Sequence, residues 1–342
     1  QKSYQVFRSK MTSPKKPSSL PEKTFKNLRA DSWDEFIGQS TIKKALTVAL
    51  SAAKKRKEAS EHILLYGPPG LGKTTLAHII AKEMKVNIRT SSGPAIERAG
   101  DLASILTNLN DGDIFFVDEI HRLSKVVEET LYPAMEDYRL DIVVGQGPSA
   151  RTLQLELPKF TLVGATTRIG LIAAPLRDRF GITHRFTFYN PDNLVQIIKN
   201  AATKIKITID GSVAKKLALR SRGTPRIALK LLKRCRDMAQ IKGESAITES
   251  VLNESLKLLE VDAMGLDAND QRLLKALINK HQGGPVGLDT LAATIAEEKD
   301  TLEEVIEPYL LQIGFLKRTS KGRVATKQAF AHFNKTPPKH LI

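Results

Sequence analysis

The stretch GPPGLGKTT at residues 67–75 restricts the fold of this chain more than any other segment. It follows the apolar run HILLY at 62–66 and precedes TLAHIIAKEM at 75–84, whose apolar residues recur at helical spacing. A glycine-rich loop between a buried strand and a helix binds phosphate through its backbone N–H groups and the positive end of the helix. The context therefore predicts a nucleotide-binding loop rather than a purely structural turn.

The residues of this loop have distinct expected roles. Gly70 and Gly72 let the backbone turn its N–H groups toward the phosphates. Lys73 is expected to reach the β and γ phosphates, and the Thr74 hydroxyl is expected to bind Mg²⁺. The loop thus predicts a bound nucleotide together with a divalent cation.

An acidic pair in DIFFVDEIH at 113–121 supplies the second half of such a site. Asp118 and Glu119 follow four apolar residues, where a buried strand ends. We expect Asp118 to hold Mg²⁺ through its water shell and Glu119 to polarise the water that attacks the γ phosphate. An exposed acidic turn is the alternative, but the glycine-rich loop favours hydrolysis. His121 has no second His or Cys at ligand spacing, and we interpret it as a structural or coupling residue.

Another buried run, FTLVGATTR at 160–168, ends in two hydroxyl side chains. If this strand lies beside the strands that carry the loop and the acidic pair, a hydroxyl from Thr166 or Thr167 comes near the γ phosphate. We assign the catalytic position to Thr166.

Arginines follow in the next two segments. PLRDRFG at 175–181 contains Arg177 and Arg179, and either is a candidate finger to the nucleotide of a neighbouring subunit or an ordinary surface ion pair. Arg226 follows the proline that opens a helix in RGTPRIA, where its side chain can fold back on the nucleotide.

Apolar runs that alternate with helical stretches predict a parallel sheet with helices on both faces. These runs are at 62–66, 86–92, 113–117, 160–167 and 184–189. The pattern is entirely helical from about 190 to 260, and a third region has helices near 268–280, 288–296 and 301–313 before the hairpin pattern GFLKRTSKGRVAT. We therefore predict a flexible basic arm at 1–24, a large nucleotide-binding domain at 25–189, a small helical domain at 190–260, a DNA-binding domain at 261–335 and a tail at 336–342.

The composition favours a polyanionic partner. The formal net charge is +16, from 53 Lys and Arg against 37 Asp and Glu, and a basic protein of this kind suits nucleic acid. Hydrophobic residues make up 41% of the sequence, and no apolar run approaches the length of a membrane helix. The single cysteine, Cys235, excludes an internal disulfide and is typical of a reducing compartment. We expect a cytoplasmic protein with no membrane association.

The motif strings as a set resemble a known family. Residues 67–75, 113–123, 160–168 and 175–181 resemble the Walker A, Walker B, sensor 1 and arginine-finger segments of the AAA+ ATPases. Longer strings, such as VVEETLYPAMEDYRLDI, RGTPRIALKLLKR and EPYLLQIGFLKRT, are similar to the bacterial RuvB family in particular, from about Leu28 to Phe333. The resemblance implies an α/β AAA+ P-loop NTPase with a parallel sheet, a helical lid domain and a C-terminal winged helix.

The resemblance also implies a function. RuvB-like proteins are ATP-driven hexameric motors that pull duplex DNA to move Holliday junctions during homologous recombination and repair. They act with RuvA, and with RuvC in the resolvase complex. ATP and Mg²⁺ are the implied ligands, the duplex arms of the junction are the implied nucleic acid, and the bacterial cytoplasm is the implied compartment.

Residue roles follow by matching positions. Lys73, Thr74 and Thr75 match the phosphate and Mg²⁺ contacts, and Arg179 rather than Arg177 matches the finger. Arg226 matches sensor 2. Further nucleotide contacts of the family match Leu28, Arg29, Glu136, Asp137, Tyr138 and Tyr189. One departure is Ala30, which stands where the family usually has a proline.

The segment GQGPSARTLQLELPKF at 145–160 alternates leucines with polar residues, as a strand or hairpin does. The pattern leaves open a hairpin that packs on its own domain. The resemblance implies an exposed apolar hairpin that binds RuvA through Leu153 and Leu155.

The hairpin pattern near the end of the chain is basic, with Lys317, Arg318, Lys321 and Arg323 available for phosphates. A solvated charged hairpin is the alternative. The resemblance implies that Arg318 and Arg323 contact DNA, together with Lys299, which stands where an arginine is common.

Two other functions compete with the motor. A clamp-loader type of AAA+ switch would have a helical collar in place of the winged helix. A nucleotide-sensing DNA regulator without hydrolysis is the second alternative, and the intact Glu119 argues against it.

Overall fold

A parallel sheet of five strands organises the first part of the molecule. The computed structural model describes residues 28–144 and 151–338. Its strands are β1 (Ile63–Tyr66), β2 (Ile88–Ser92), β3 (Ile114–Asp118), β6 (Thr161–Thr166) and β7 (Ile182–Arg185). They lie in the order β2-β3-β6-β1-β7. The fold confirms the expected α/β class.

Alternation along the strands builds a core on each face of the sheet. Ile63 and Leu65 of β1 point into one hydrophobic cluster, whereas Leu64 between them points into the other. Every residue of β6 is buried, because helices cover both faces. These helices are α1 (Ser40–Arg56), α2 (Lys73–Met84), α3 (Ala99–Leu106), α4 (Lys125–Glu136) and α5 (Ala174–Asp178).

The central position of β6 brings the predicted polar residues to one edge. Tyr66, the last residue of β1, pairs with Thr166, and Val117 of β3 pairs with Gly164 of β6. The glycine-rich loop, the acidic pair and the two threonines therefore all follow the carboxyl ends of neighbouring strands, as expected for a ligand site in a parallel sheet.

A helical domain follows the sheet and shares its first hydrophobic cluster. Its helices are α6 (Pro191–Lys204), α7 (Gly211–Leu219), α8 (Pro225–Lys242) and α9 (Glu249–Leu258), with short strands β8 (Thr208–Ile209) and β9 (Ala246–Ile247). Cys235 is buried in this core, and burial raises the pKa of its thiol to about 11. Its burial fits a structural thiol.

The third region has its own hydrophobic cluster and the form of a winged helix. It contains α10 (Ala268–His281), α11 (Leu288–Ile295), α12 (Lys299–Thr301), α13 (Glu307–Gln312), the antiparallel strands β10 (Leu316–Thr319) and β11 (Gly322–Ala325), and α14 (Lys327–His332). A π-helical turn at Leu302–Ile306 joins α12 to α13. The sequence pattern did not predict this turn.

Two segments differ from their predicted bounds. The last strand of the sheet was expected at 184–189 but is formed by Ile182–Arg185. Beyond it the backbone leaves the sheet, and the Tyr189 N–H donates to the Gly223 carbonyl of the helical domain at 2.8 Å. The hairpin expected at 145–160 begins earlier, since β4 (Arg139–Val144) pairs with β5 (Arg151–Glu156).

Parts of four predicted segments lie outside the described residues. They are the whole arm at 1–24, residues 25–27 of the large domain, residues 145–150 of the hairpin and residues 339–342 of the tail. Within the part that the structure describes, no helix has both the length and the apolar character that crossing a membrane requires.

Candidate nucleotide site and DNA-facing wing

The glycine-rich loop has a backbone that only glycine adopts easily. Gly67, Gly70 and Gly72 all have positive φ angles, of 137°, 78° and 102°. A Cβ atom on Gly70 would lie 2.9 Å from the Cβ of Arg226, so this position also lacks room for a side chain. The loop thus presents its backbone at the start of α2.

Lys73 is the first residue of α2 and is almost completely buried. Its Nζ donates to the carbonyl oxygens of Gly67 and Pro68, at 2.8 and 2.9 Å. Burial lowers the pKa of the Lys73 ammonium, and the carboxylates of Glu119 and Asp118 oppose that shift. The Lys73 Nζ therefore lies inside the loop, where phosphate oxygens can replace the two carbonyls as its hydrogen-bond partners.

Thr74 and Asp118 face each other across the site. The Thr74 hydroxyl donates to Asp118 Oδ2 at 3.5 Å, and Asp118 Oδ1 accepts from the N–H of Glu119 at 3.0 Å. One hydroxyl and one carboxylate oxygen on adjacent elements form the hard donor set that suits a divalent cation such as Mg²⁺. The pair fits the metal that the sequence predicts.

Glu119 is held from two sides. Its Oε2 accepts from the Thr167 hydroxyl at 3.2 Å and lies 3.3 Å from Nδ1 of His121. The residue has a left-handed backbone with φ of 48°, and Gly93 lies so close that a Cβ there would be 2.4 Å from the Glu119 carbonyl oxygen. These contacts fix the carboxylate at the carboxyl edge of the sheet.

The two threonines at the end of β6 have different surroundings. Thr166 is fully buried, and its hydroxyl is 2.9 Å from His121 Nδ1 and accepts the N–H of Arg168 at 2.9 Å. Burial lowers the pKa of His121, although the Glu119 carboxylate opposes this. Thr167, not Thr166, is thus the hydroxyl in contact with Glu119. The sequence pattern made both threonines candidates. The residue at which β6 ends determines which of the two side chains points to the site.

A cavity of about 320 Å³ opens beside the loop. Its apolar walls include Leu28 and Tyr189, both nearly fully buried, and Tyr189 donates its hydroxyl to the Leu71 carbonyl at 3.1 Å. Arg29 and Thr75 also line it. Four of the predicted nucleotide contacts therefore line one cavity beside the loop.

The segment that contains Ala30, which replaces a proline of the family, is attached to the helical domain by Lys204. Lys204 Nζ donates to the Arg29 carbonyl at 3.0 Å and pairs with Glu35 at 2.7 Å. A lysine of the helical domain therefore holds the segment next to the cavity.

Arg226 meets the loop from the helical domain. It follows Pro225 in the first turn of α8, and its N–H donates to the Gly70 carbonyl at 3.2 Å. The arginine expected as sensor 2 therefore stands directly against the phosphate loop.

The segment Glu136, Asp137 and Tyr138 lies at the other edge of the sheet. Met135, just before it, bonds through its carbonyl to His62 Nε2 at 2.9 Å, and His62 precedes β1. The Tyr138 ring packs edge-on against Phe160, which precedes β6. These three predicted nucleotide contacts are therefore separated from their own chain's loop by the length of the strands.

Arg179 joins this opposite edge. Its guanidinium pairs with Glu136 at 3.2 Å, donates to the Pro175 carbonyl at 2.7 Å and stacks 4.4 Å above the Tyr132 ring. Arg177 makes a looser pair with Asp178 at 3.8 Å. Of the two candidate fingers, Arg179 is the one that the surroundings orient.

The wing, residues 316–325, is organised by one buried carboxylate. Glu307 has no exposed surface and pairs with Arg318 and Arg323, both at 2.6 Å. The Arg323 side chain is 16% exposed and also pairs with Glu303 at 3.2 Å, whereas the Arg318 side chain is 47% exposed. Sequence reasoning missed Glu307, because its contacts depend on how the π-helical turn presents it.

The other basic residues of this domain are exposed. Lys317 lies within β10, Lys321 lies in the turn between β10 and β11, and Lys299 pairs with Asp289 at 2.9 Å. All the predicted DNA contacts belong to the same domain.

The predicted partner-binding leucines are not equivalent. Leu153 of β5 is 50% exposed, whereas Leu155 packs partly against the second hydrophobic cluster of the sheet. Only Leu153 is a freely exposed apolar side chain of this strand.

Models of one protein family match nearly the whole described chain. Residues 28–186 match the Holliday junction DNA helicase RuvB P-loop domain, 189–262 match the RuvB AAA lid domain, and 263–334 match the RuvB C-terminal winged helix domain. The chain belongs to the RuvB family. The RuvB family provides Holliday junction branch migration motors, which are ATP-driven enzymes.

Solved structures of RuvB are similar to this chain in both sequence and fold. The Thermotoga maritima RuvB Holliday junction branch migration motor is 50% identical, with a TM-score of 0.84, over 91% of this chain and 100% of that one. A lysine-to-arginine variant of it is 50% identical, with a TM-score of 0.84, over 91% and 99% of the two chains. A winged helix in place of a collar also argues against the clamp-loader alternative.

Proposed function

We propose that this RuvB-family chain works as a hexameric ring that hydrolyses ATP with Mg²⁺ and pulls duplex DNA to move Holliday junctions. One observation carries the proposal. Lys73, Asp118 and Glu119 lie at the carboxyl edge of the sheet, whereas Arg179 and Glu136 are paired at the amino edge. Such a site is complete only when two copies meet, with the edge of one against the loop of the next.

At its own edge, each subunit supplies binding and hydrolysis. Lys73 exchanges its two backbone carbonyls for phosphate oxygens, and Thr74 and Asp118 hold Mg²⁺, which neutralises phosphate charge when bound. Glu119 accepts a proton from the attacking water. The Thr167 hydroxyl, in contact with Glu119, orients that carboxylate and takes the role that the sequence suggested for Thr166.

At the opposite edge, each subunit serves its neighbour. Arg179 stabilises the negative charge that develops on the neighbour's γ phosphate, as an arginine finger does. Glu136 and Tyr132 hold its guanidinium in place. Glu136, Asp137 and Tyr138 therefore contact the nucleotide of the adjacent copy rather than their own.

The remaining surfaces connect the motor to its partners. The wing touches duplex phosphates through Arg318 and Arg323, with Lys299 on the same domain, so binding is independent of sequence. The exposed Leu153 on β5 supports a docking strand for RuvA. RuvC joins in the resolvase complex, and the cytoplasm is the compartment. The predicted domain boundaries at 189–190 and 260–261 are part of this proposal.

Branch migration of a synthetic four-way junction tests the function. Wild-type protein and the variant Glu119→Gln are each incubated with ATP, Mg²⁺ and the junction, with and without RuvA. We expect migration that requires ATP and stops in the variant. Wild-type protein that hydrolyses ATP but never moves the junction, even with its matched RuvA, would overturn the proposal.

A further inference from the structure

A chain of polar contacts runs from the nucleotide site to the wing within one subunit. Arg168, which follows the two threonines of β6, donates its N–H to Thr166 Oγ1 at 2.9 Å. Its guanidinium reaches out of the ATPase domain and pairs with Glu304 in the π-helical turn, and with Asp300 of α12 at 3.7 Å. One residue thus touches both the end of the sensor strand and the winged helix domain.

On the nucleotide side, this series of polar contacts ends at the carboxylate of Glu119. Thr166 is hydrogen-bonded to His121, and His121 Nδ1 lies 3.3 Å from Glu119 Oε2. Thr167, next to Arg168, bonds to the same oxygen of Glu119. A change in the position of Glu119 therefore disturbs two residues that adjoin Arg168.

On the DNA side, the series of polar contacts ends at the wing. Glu303, the neighbour of Glu304 in the π-helical turn, pairs with Arg323, and Glu307 after the turn holds both Arg318 and Arg323. A π-helical turn within a helix is uncommon and often marks a functional position. Here it directs Glu304 toward the ATPase domain while Glu303 and Glu307 face the wing.

The ion pairs of the winged helix domain differ in how easily they break. Arg222 of the helical domain pairs with Asp270 at 2.5 Å, and both side chains are almost fully buried. The Glu304 and Asp300 side chains are 41% and 78% exposed, and the Arg168 side chain is 31% exposed, although the Nη2 atom that contacts both carboxylates is buried and has no partner in hydrogen-bond geometry. A buried pair is costly to break, whereas an exposed pair contributes little to stability and exchanges readily with water.

Among the residues that the structure describes, Arg168 is the side chain of the ATPase domain that forms ion pairs with the winged helix domain. We propose that Arg168 is a positioning residue that couples the nucleotide state at Glu119 to the wing by pairing with Glu304 and Asp300. The winged helix domain stays attached to the helical domain through Arg222. Its link to the ATPase domain through Arg168 is the one that opens and closes during turnover.

Substitutions of Asp300 and Glu304, the two partners of Arg168 in the winged helix domain, test this inference because these residues do not touch the nucleotide site. The double variant Asp300→Asn with Glu304→Gln removes both carboxylates. Glu298→Gln is the matched control, since Glu298 is exposed in the same segment and forms no ion pair in the described structure. The measurements are ATPase rate without DNA, ATPase rate with saturating duplex, duplex affinity and junction migration.

We expect the double variant to hydrolyse ATP without DNA, and to bind duplex, within about twofold of wild type, because the two carboxylates that it removes are exposed. Its stimulation by duplex and its migration rate should fall, whereas the control should match wild type. Exchange of the charges in Arg168→Glu with Glu304→Arg should restore stimulation that Arg168→Glu alone loses. A merely structural contact would lower the basal ATPase rate and the duplex affinity together with the stimulation.

This inference rests on the proposed motor function, and the two fail differently. If wild-type protein shows no DNA-dependent turnover or migration, the motor itself is wrong. If wild type is active and the double variant keeps full stimulation and migration, the coupling role of Arg168 is wrong and the motor stands. Failure of the charge exchange to recover any stimulation would also overturn the coupling.

Discussion

Arg179 and Glu136 form an ion pair of 3.2 Å at the edge of the sheet that faces away from Lys73. Both residues were expected to contact nucleotide, yet neither can reach the loop of its own chain. The stacking of Arg179 on Tyr132 keeps the guanidinium in one orientation before any neighbour arrives. The pair therefore prepares the edge that a second subunit's phosphates would meet.

Mixing two inactive variants tests this division of the site. Lys73→Ala and Arg179→Ala should each lose ATPase activity by about a thousandfold or more. A mixture of the two contains interfaces with an intact loop from one subunit and an intact finger from the other. We expect mixing to restore ATPase activity, to at most about a quarter of the wild-type rate in a random ring.

The control for this experiment is a mixture of Lys73→Ala with Glu119→Gln. Both of these changes lie at the same edge, so no interface in that mixture is complete. Recovery of ATPase activity in the control mixture would contradict a finger that acts between subunits. A first mixture that stays inactive although both variants assemble would contradict it as well.

Substitutions of Thr166, the last residue of β6, and of Thr167, which follows it, should have different effects on activity and stability. Thr167→Val removes the hydroxyl that holds Glu119, so we expect kcat to fall about tenfold or more with little change in Tm. Thr166→Val leaves the N–H of Arg168 without its acceptor inside the protein, which should cost about 1–3 kcal/mol of unfolding free energy. Steady-state ATPase assays and thermal unfolding of both variants check this. The opposite ranking would return the catalytic role to Thr166.

Short-range features of the site could be predicted from the sequence. The loop, Lys73 and Thr74 occupy consecutive positions, and Asp118 and Glu119 end an uninterrupted apolar run. Because the carboxyl ends of parallel strands meet at one edge, their proximity followed from the fold class alone. The central place of β6 had to be assumed, and the strand order confirms it.

Long-range pairings could not be predicted. The position of Glu136 relative to the loop depends on where α4 ends against His62, and no local pattern encodes that contact. The choice between Thr166 and Thr167 depends on the single residue at which β6 stops. Glu307 appears as one more carboxylate in a charged helix until the π-helical turn brings it beneath two arginines.

The link between the helical and winged helix domains should depend on pH. Asp270 is fully buried beside Arg222, and burial raises the pKa of its carboxyl from 3.8 to about 7. The folded protein therefore holds this proton more tightly than the unfolded chain does. The stabilisation that comes from the protonated Asp270 carboxyl is complete below about pH 4 and is lost as the pH rises toward about 7.

Thermal unfolding of wild type and Asp270→Asn across this pH range measures the effect. The wild-type Tm should contain a component that declines as pH rises from about 4 to 7, and the variant should lack that component. Parallel Tm curves for the two proteins would assign the pH dependence to other groups.

The two arginines of the wing should differ in what they contribute. Arg318 is 47% exposed, so Arg318→Ala should weaken duplex binding and reduce the salt dependence by about one counterion, with the smaller loss of stability, because Glu307 keeps its two contacts with Arg323. Arg323 is 16% exposed, and Arg323→Ala should lower Tm more, because both the buried Glu307 and Glu303 then lose this partner. Duplex titrations at several salt concentrations, combined with unfolding curves, separate the effects. Equal loss of stability in both variants would contradict this assignment.

Leu153 and Leu155 point in the same direction along β5 but differ in burial. Leu153→Lys places a charge on a side chain that is 50% exposed, so the ATPase rate and Tm should stay near wild type. Leu155→Lys forces a charge against the second hydrophobic cluster and should lower the unfolding free energy by about 2 kcal/mol or more. If Leu153 docks RuvA, its variant alone combines normal stability with the loss of RuvA-dependent migration. Size-exclusion chromatography of RuvA mixed with each variant measures RuvA binding directly. Normal RuvA binding by Leu153→Lys would show that the docking site is not at Leu153.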